Sequence, residues 1–288
     1  MTRRPSLSYR AVTRLLHMMD VPGRMMADMA ADRTRVSGPP IGLRGAARFT
    51  HEGHPVYRFA PRRGAPAGRV LHLHGGAFVY GLMAIHYRFA AKLARLSGAE
   101  VWLPEYPLPP GADARAVTAW SDGLAARAMA DGPLVLMGDS AGGGLALGAA
   151  QRRAEAGEAM PEALVLLSPW TDLTCPDTDR TGADEPLLSE AAGLAAARRY
   201  AGGLPLDDPL VSPLFGPLSG LPPVTVVAGE RDVLWPDIAR LRDALEAAGA
   251  KLHVMAEPQL GHYWKYYPVP EARRTTAEIA AVVRTALV

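Results

Sequence analysis

Apolar runs of strand length alternate with amphipathic helical stretches along most of this chain, and that alternation restricts the fold more than any other feature. The runs begin at Val70, Val101, Leu134, Leu164, Val224 and Leu252. The helix-like stretches cover residues 87–96, 116–129, 144–156, 238–248 and 272–287. Near-continuous apolar strands separated by such helices indicate an α/β fold, a mostly parallel sheet with helices on both faces. Ahead of it, residues 48–60 predict a hairpin that turns at Glu52 and Gly53.

The composition is that of an ordinary folded domain, and it excludes several classes of protein. The chain has 288 residues, of which 49% are hydrophobic and 21% charged, which is too apolar for a disordered chain. Its 31 basic and 29 acidic residues leave a net charge of +2, so no basic field draws it to nucleic acid. The single cysteine, Cys175, rules out an intramolecular disulfide and a cysteine-based zinc site. We predict one domain over residues 1–288.

Targeting and membrane signals are not visible in the sequence. No run approaches the ~20 apolar residues that cross a bilayer, and residues 1–20 lack the apolar core of a signal peptide. We therefore expect a cytoplasmic protein without stable membrane insertion. There is also no long apolar surface segment of the kind that a lipase uses at an oil–water interface, although the methionine-rich N-terminus could supply one.

Two segments interrupt the alternation. Residues 6–35 have helical periodicity and many methionines, which fits either a helix packed on the core or a flexible lid over an apolar pocket. Residues 169–221 form a long, proline-rich insertion after the sixth strand, counting both strands of the hairpin, with a single helix-like piece at 190–200. Long connections in compact domains are usually functional. We predict that this insertion forms part of a cap over the carboxyl ends of the strands, where open α/β sheets bind ligands.

The strongest chemical signal is the sequence Gly-Asp-Ser-Ala-Gly at residues 138–142. It follows one predicted strand directly and precedes a predicted helix, which is the setting of a nucleophile elbow. The glycines avoid collisions with neighbouring backbone, and the helix N-terminus beneath supplies unpaired N–H groups and a positive dipole end. Ser140 is therefore the candidate nucleophile.

A second signal, His-Gly-Gly-Ala-Phe at residues 74–78, follows the strand that begins at Val70. We predict that the N–H groups of Gly75, Gly76 and Ala141 form an oxyanion hole for a substrate carbonyl oxygen. His74 is expected to order this loop by hydrogen bonding rather than to act chemically. The pair His72 and His74 could suggest a metal site, but we expect no nearby acidic partner and predict neither a metal nor another cofactor.

Chain order selects the partners of Ser140, because the acid and then the histidine follow the nucleophile in this arrangement. Only His253 and His262 come after Ser140. His253 lies within a predicted strand, whereas His262 follows that strand in a loop, so we assign His262 as the base. Asp232 follows the strand at Val224 and is our candidate for the acid. Glu230 and Asp237 are its competitors, and Asp237 better suits the first turn of the following helix.

Taken together, these motifs resemble the bacterial hormone-sensitive-lipase-like esterases of the α/β-hydrolase superfamily. The resemblance runs from about Val56 to the C-terminus, through residues 74–76, 138–143, 168–173, 211–214, 220–223, Asp232 and 261–262. It implies the α/β-hydrolase fold and the same triad and oxyanion donors. It also implies a helical cap, from about residues 1–45 and 171–215, and activity on short- to medium-chain acyl esters.

The sequence departs from the family pattern at two places. Ala77 stands where the family usually has a third glycine, and its methyl group narrows the space for bulky alcohol groups. Residues 106–111 keep the tyrosine, the leucine and one proline of a family motif but lack its charged residues. Phe78, Asp139 and Tyr263, each next to a predicted catalytic element, are candidate pocket residues.

The function predicted from these residues is that of a serine carboxylesterase acting on a small acyl ester through an acyl-enzyme intermediate. An amidase, formamidase or lactonase would use the same triad, because the shared step is attack on an acyl carbonyl. A non-catalytic binding protein on this scaffold is disfavoured, since no part of the triad is missing. Neither the natural substrate nor the choice between a monomer and a homodimer follows from the sequence.

Overall fold

A mostly parallel sheet of eight strands forms the centre of the structure, a computed structural model that describes residues 4–30, 38–43, 46–175 and 190–288. The strands are β1 (Ala47–His51), β2 (His54–Phe59), β3 (Arg69–Leu73), β4 (Glu100–Pro104), β5 (Leu134–Asp139), β6 (Ala163–Leu167), β7 (Val224–Gly229) and β8 (Leu252–Glu257). Their spatial order is β1-β2-β4-β3-β5-β6-β7-β8. The pairs β1–β2 and β2–β4 are antiparallel, and all the others are parallel.

Helices cover both faces of this sheet, which explains why its central strands are apolar on both sides. The helices are α1 (Leu7–Met18), α2 (Val21–Ala30), α3 (Ala84–Ser97), α4 (Ala114–Ala130), α5 (Ala141–Glu155), α6 (Glu190–Ala201), α7 (Trp235–Ala247) and α8 (Pro270–Ala286). Along β5, Val135 and Met137 pack in the layer that contains α3 and α8. Leu134 and Leu136 alternate with them and pack in the layer that contains α4, α5 and α7.

The predicted strands and the predicted hairpin are confirmed. Glu52 and Gly53 both have positive φ, 44° and 85°, as the two-residue turns that join twisted antiparallel strands require. The predicted helices are also present, but α5 begins at Ala141 rather than at Gly144. The three glycines at 142–144 are poor helix formers. The helix nevertheless begins directly after Ser140, because tertiary contacts outweigh this low helix propensity.

The N-terminal segment forms two helices rather than one, because Asp20, with a φ of 50°, interrupts the chain between α1 and α2. The end of the predicted helical region, residues 31–35, lies outside the described residues. In α1, Tyr9 is buried in the α3–α8 layer, and its hydroxyl oxygen accepts a hydrogen bond from the Gly261 N–H at 2.9 Å. These contacts favour a packed helix over a flexible lid for α1.

The N-terminal segment and the insertion meet through α2 and α6, which pack against each other. The Tyr80 hydroxyl also donates a hydrogen bond to the Asp28 carboxylate of α2 at 2.5 Å. This contact joins the predicted cap to the turn that follows β3. Residues 1–3, 31–37, 44–45 and 176–189 of the predicted cap lie outside the described residues, so the limits of the cap and the single-domain assignment stay predictions. Within the described ranges, no helix is long and apolar enough to cross a membrane.

We expect Tyr9→Phe to destabilise the protein through the loop that follows β8. The substitution leaves the buried Gly261 N–H without its acceptor, and an unpaired buried donor costs about 1–3 kcal/mol. Urea unfolding measures the loss, with Arg14→Gln on the exposed side of the same helix as a control. An unchanged free energy of unfolding in Tyr9→Phe would contradict a structural role for this hydrogen bond.

Candidate active site

The carboxyl ends of four strands bring the predicted site residues to one edge of the sheet. The loop with Gly75 and Gly76 follows β3, and Ser140 follows the adjacent β5. Asp232 follows β7, and His262 follows β8, which pairs with β7. Parallel strands end at the same edge of a sheet, and this is where open α/β folds hold their ligands.

Ser140 lies on a strained turn between β5 and α5. Its backbone angles are φ 51° and ψ −122°, a combination that a side chain other than glycine rarely adopts. The turn is possible because residues 138 and 142 are glycines and carry no side chain. A Cβ atom on Gly138 would lie 2.0 Å from the Gly142 carbonyl oxygen, and one on Gly142 would lie 2.1 Å from the Leu73 carbonyl oxygen. Side chains at these positions would push the elbow away from β3. The turn is pinned further by the Ser140 N–H, which donates to the Leu167 carbonyl at 3.0 Å.

The loop after β3 lies against this elbow. A Cβ atom on Gly75 would meet the Ser140 Cβ at 2.9 Å, so the two segments are in direct contact. Ala77 and Phe78 both have positive φ, 53° and 59°. Among the described contacts, the N–H groups of Gly75, Gly76 and Ala141 donate to no protein acceptor. Three unpaired donors from two adjoining turns are the expected makeup of an oxyanion hole.

His74 forms two hydrogen bonds that fit its predicted role of ordering the loop. Its Nδ1–H donates to the Gly75 carbonyl at 2.7 Å, and the His74 carbonyl accepts a hydrogen bond from the Tyr106 hydroxyl at 2.8 Å. The two rings stack with their centroids 4.2 Å apart. Burial, together with the neighbouring His86, lowers the pKa of His74 to about 3, so the ring is neutral in the folded protein. Tyr106 is the tyrosine that segment 106–111 keeps from the family motif, and its role was not predicted from the sequence.

Asp232 and His262 form a buried hydrogen-bonded pair. His262 Nδ1 lies 2.9 Å from each carboxylate oxygen of Asp232, and both side chains are almost completely buried. The carboxylate can only accept, so Nδ1 carries the proton and Nε2 is the basic nitrogen of the neutral ring. Burial by itself would raise the pKa of Asp232, but the nearby His262 and Lys265 lower it below its ordinary value.

The loop that carries His262 is held from several sides. The Lys265 ammonium donates to the His262 carbonyl at 2.6 Å, and the Ser168 hydroxyl lies 3.5 Å from the same oxygen. A Cβ on Gly229 would lie 2.0 Å from the Leu260 carbonyl, so the end of β7 touches this loop directly. Because Ser168 directly follows β6, whose last residue bonds the Ser140 N–H, the base loop and the elbow share one anchor.

The competing acids and the competing histidine lie apart from this pair. Glu230 is exposed, and Asp237 is buried in the first turn of α7, the position its sequence suggested. His253 is exposed on β8. The geometry therefore joins only Asp232 and His262 among the candidates considered, and it leaves their catalytic roles a prediction.

The expectation that His72 has no acidic partner is wrong. His72 Nε2 lies 2.9 Å from Asp139 Oδ1, and His86 Nε2 lies 3.6 Å from Asp139 Oδ2, with all three side chains fully buried. Burial opposes the charge of Asp139, but His86 and His72 hold the pKa of its carboxyl well below its usual range. The His86 ring accepts the Met83 N–H at Nδ1, which leaves the proton on the nitrogen that faces Asp139. Sequence reasoning missed His86 because no local pattern relates it to the elbow.

The candidate pocket residues lie in different surroundings. Phe78 is buried and stacks on Tyr200 of α6, with ring centroids 3.6 Å apart and an interplanar angle of 4°. Together with Trp170, these rings line a small cavity beside the start of α5. Tyr263 meets the His262 ring edge-on at 4.8 Å. Asp139 is buried beneath the elbow, beside His72 and His86. A pocket role for all three candidates stays a prediction.

The insertion is fastened to the elbow through the motif at residues 168–173. The Trp170 N–H donates to the Ser140 carbonyl at 2.9 Å, and the Trp170 indole donates to the Asp172 carbonyl at 3.0 Å. The Asp172 carboxylate receives Arg240 of α7 at 2.7 Å. The motif therefore has a structural role: it connects β6 to the insertion and fixes the start of the insertion against the elbow and α7.

The fold and the arrangement of these residues define an α/β hydrolase, and comparison with known proteins agrees. The sequence profile of a family described as "alpha/beta hydrolase fold" matches residues 70–265. An acetyl-hydrolase of Streptomyces hygroscopicus is 37% identical over 227 residues, which are 75% of each chain. An esterase of Acinetobacter venetianus is 32% identical over 220 residues, 73% of each chain.

A solved structure of similar fold supports the same family assignment. The crystal structure of an esterase from the bacterial hormone-sensitive lipase (HSL) family matches with a TM-score of 0.77 and 26% identity. The match covers 93% of this chain and 98% of that one. The chain belongs to the α/β-hydrolase family, in its hormone-sensitive-lipase-like branch, and it is a carboxylic ester hydrolase.

We expect the free energy of unfolding to fall as the pH is lowered from about 6.5 towards 3. The pKa of His74 is about 3 in the folded protein, below its ordinary value of 6.5, so in this range only the unfolded chain takes up the proton. One such group contributes a slope of about 1.4 kcal/mol per pH unit. Urea unfolding at pH 4.5 to 6.5 should give His74→Phe a slope smaller by that amount than the native protein.

The matched control for this measurement is His253→Gln, which removes an exposed imidazole. Asp139 and Asp232, whose pKa values are lowered, add their own loss of stability only below about pH 4. An equal slope in the native protein and in His74→Phe would show that His74 does not stay neutral in the folded state.

Proposed function

We propose that this protein is a serine carboxylesterase that hydrolyses short- to medium-chain acyl esters through Ser140, His262 and Asp232. The observation that carries the proposal is the buried pair of His262 Nδ1 and Asp232 at 2.9 Å, on loops at the same sheet edge as the strained Ser140. The pair leaves the basic Nε2 of the imidazole for the serine proton. The acetyl-hydrolase and esterase names of the relatives agree with this reaction.

The first half of the reaction forms an acyl-enzyme. Ser140 Oγ attacks the carbonyl carbon of the ester, and its proton passes to His262 Nε2. Asp232 keeps the imidazole in the required tautomer and stabilises the imidazolium that results. The tetrahedral intermediate then expels the alcohol, which takes the proton from His262.

The second half returns the enzyme to its resting state. Water gives a proton to His262 and attacks the acyl-enzyme, and collapse of the second intermediate releases the carboxylic acid and restores the Ser140 hydroxyl. In both halves the charge on the carbonyl oxygen is stabilised by the N–H groups of Gly75, Gly76 and Ala141. One such donor is worth roughly 3–4 kcal/mol of barrier in a measured case. These steps need no metal and no organic cofactor.

The preference for short acyl chains rests on the crowding beside the elbow. The Phe78–Tyr200 stack and the fully buried Trp170 leave only a small cavity next to the start of α5. An acyl chain of a few carbons requires little rearrangement there, whereas a long chain requires these rings to separate.

Hydrolysis of a p-nitrophenyl ester series of increasing acyl length tests the proposal. We expect a maximum at short chains and a fall in kcat of at least about 10³-fold in Ser140→Ala. Ser219→Ala, which changes an exposed serine, is the matched control. Asp232→Asn should lose a comparable factor, because the wrong tautomer then faces the nucleophile, while the exposed Glu230→Gln should not.

The outcomes of this experiment separate the alternatives. A folded native protein that is inert on every ester would favour an amide, formamide or lactone substrate over the proposed one. Activity that survives Ser140→Ala would remove the nucleophile assignment itself. Equal losses in Asp232→Asn and Glu230→Gln would remove the assignment of the acid.

We expect Ala77→Gly to widen the choice of alcohol group. Ala77 has a φ of 53° beside the predicted oxyanion donors, and its methyl group occupies the place where the family usually has only a hydrogen. The ratio of kcat/KM for tert-butyl acetate to that for methyl acetate should rise, by about tenfold if one methyl group decides the fit. A ratio equal to that of the native enzyme would show that Ala77 does not limit the alcohol site.

A further inference from the structure

The outward face of α1 exposes a cluster of large apolar side chains. Leu7 and Met18 are each 76% exposed, Leu15 is 54% exposed, and Met19 at the helix end is 53% exposed. In the described part of the chain, the other exposed large apolar residues are Phe215 and Val288, which lie elsewhere. The sequence has no long apolar surface run, but the helix gathers separated residues into one patch.

Helix geometry explains how α1 is apolar on two sides. Tyr9 and Val12 face the sheet and pack in the α3–α8 layer. At about 100° per residue, Leu7, Leu15 and Met18 fall within an arc of roughly 80° on the opposite side. Burial of the inner face explains why this helix packs on the protein. The exposed apolar residues of the outer face, which form an apolar stripe, do not contribute to that packing.

Positive charge borders the stripe. Arg10 and Arg14 are exposed next to it on the helix, and neither forms an ion pair within the described residues. His17 extends the same edge by one turn. Residues 1–19 contain no aspartate or glutamate, and the carboxylate that contacts the start of this helix is Glu271, which accepts hydrogen bonds from Ser6.

A second cationic cluster lies on the same side of the sheet. Arg88, Lys92 and Arg95 of α3 and Arg273 of α8 line a groove, and none of the four has a carboxylate within ion-pair distance among the described residues. The groove is also lined by Tyr267, whose ring contacts Tyr9 of α1 at a centroid distance of 6.2 Å. Burial, Arg273 and Arg95 together lower the pKa of Lys92, as expected where like charges crowd.

We propose that the outer face of α1, with the adjoining cationic groove between α3 and α8, docks the enzyme on an anionic lipid surface. Leu7, Leu15 and Met18 would enter the boundary between headgroups and acyl chains, while Arg10 and Arg14 contact lipid phosphates, which is how interfacial helices bind. A second copy of the chain fits this face poorly, because it would bring two sets of unpaired positive charges together. Docking of this kind does not depend on the proposed reaction, and it would place the enzyme where apolar esters partition.

Co-sedimentation with lipid vesicles tests the proposal without using activity. We expect the native protein to bind vesicles of phosphatidylcholine with about 30% phosphatidylglycerol, whose negative surface potential attracts basic residues, and to bind pure phosphatidylcholine at least about tenfold more weakly. Binding should weaken by about tenfold or more in the double variant Arg10→Gln/Arg14→Gln, given about 1 kcal/mol for each basic residue near such a surface. The triple variant Leu7→Gln/Leu15→Gln/Met18→Gln should lose binding as well, and raised salt should weaken what the native protein binds.

Two matched controls and a check of folding accompany the variants. Arg62→Gln/Arg63→Gln removes two exposed arginines from another loop, and Phe215→Gln removes an exposed apolar residue outside α1. All variants should keep the native Tm and the native rate on a water-soluble ester, since none of these side chains lies in the proposed site.

Three results would overturn the proposal. The first is that the native protein binds neutral and anionic vesicles equally, or binds neither. The α1 variants could bind as tightly as the native protein. Light scattering could also show a dimer that the triple variant loses, which would assign the face to a second copy of the chain.

Discussion

The close approach of the turn after β5 to the end of β3 is the contact on which the rest of the site depends. A Cβ on Gly142 would lie 2.1 Å from the Leu73 carbonyl oxygen, a distance that no side chain tolerates. This contact holds Ser140 at its strained φ of 51° and brings the start of α5 against the loop of Gly75 and Gly76. The serine and the unpaired N–H groups are therefore positioned by backbone packing, before any side-chain hydrogen bond is made. Backbone packing is stiff, and stiffness is what preorganised donors require.

Near this contact the protein buries two carboxylates, and each is stabilised by histidine. Asp139 is held by His72 and His86 under the elbow, and Asp232 is held by His262 at the carboxyl edge of the sheet. A buried charge without partners would shift its pKa and neutralise. In both cases the imidazoles overcome the effect of burial and keep the pKa of the acid low. The first group anchors the turn, and the second has the form of a catalytic pair, so similar chemistry is used once for structure and once, as proposed, for reaction.

Prediction from the sequence was most successful where the signal was local. The nucleophile turn, the strands on either side of it and the hairpin at Glu52 and Gly53 follow from short patterns of apolar residues and glycine. The pairing of Asp232 with His262 was also predictable, because chain order and strand ends limit the choice to a few residues. His86 and Tyr106 were missed for the opposite reason. Each lies more than 30 residues from the turn it supports, and only the adjacency of β3, β4 and β5 in the sheet brings them there.

The sequence by itself determined the class of fold, the order of its elements and the identity of the residues at the strand ends. Periodicity and turn chemistry are properties of neighbouring residues, so they can be read along the chain. The tertiary structure alone decided that Asp139 lies between two histidines, that α1 packs Tyr9 against the loop of His262, and that the exposed side of α1 is apolar. Those features depend on which surfaces meet in space. Folding determines these contacts by burying one face of each helix and strand. The local sequence pattern shows which face is buried but not which element it packs against.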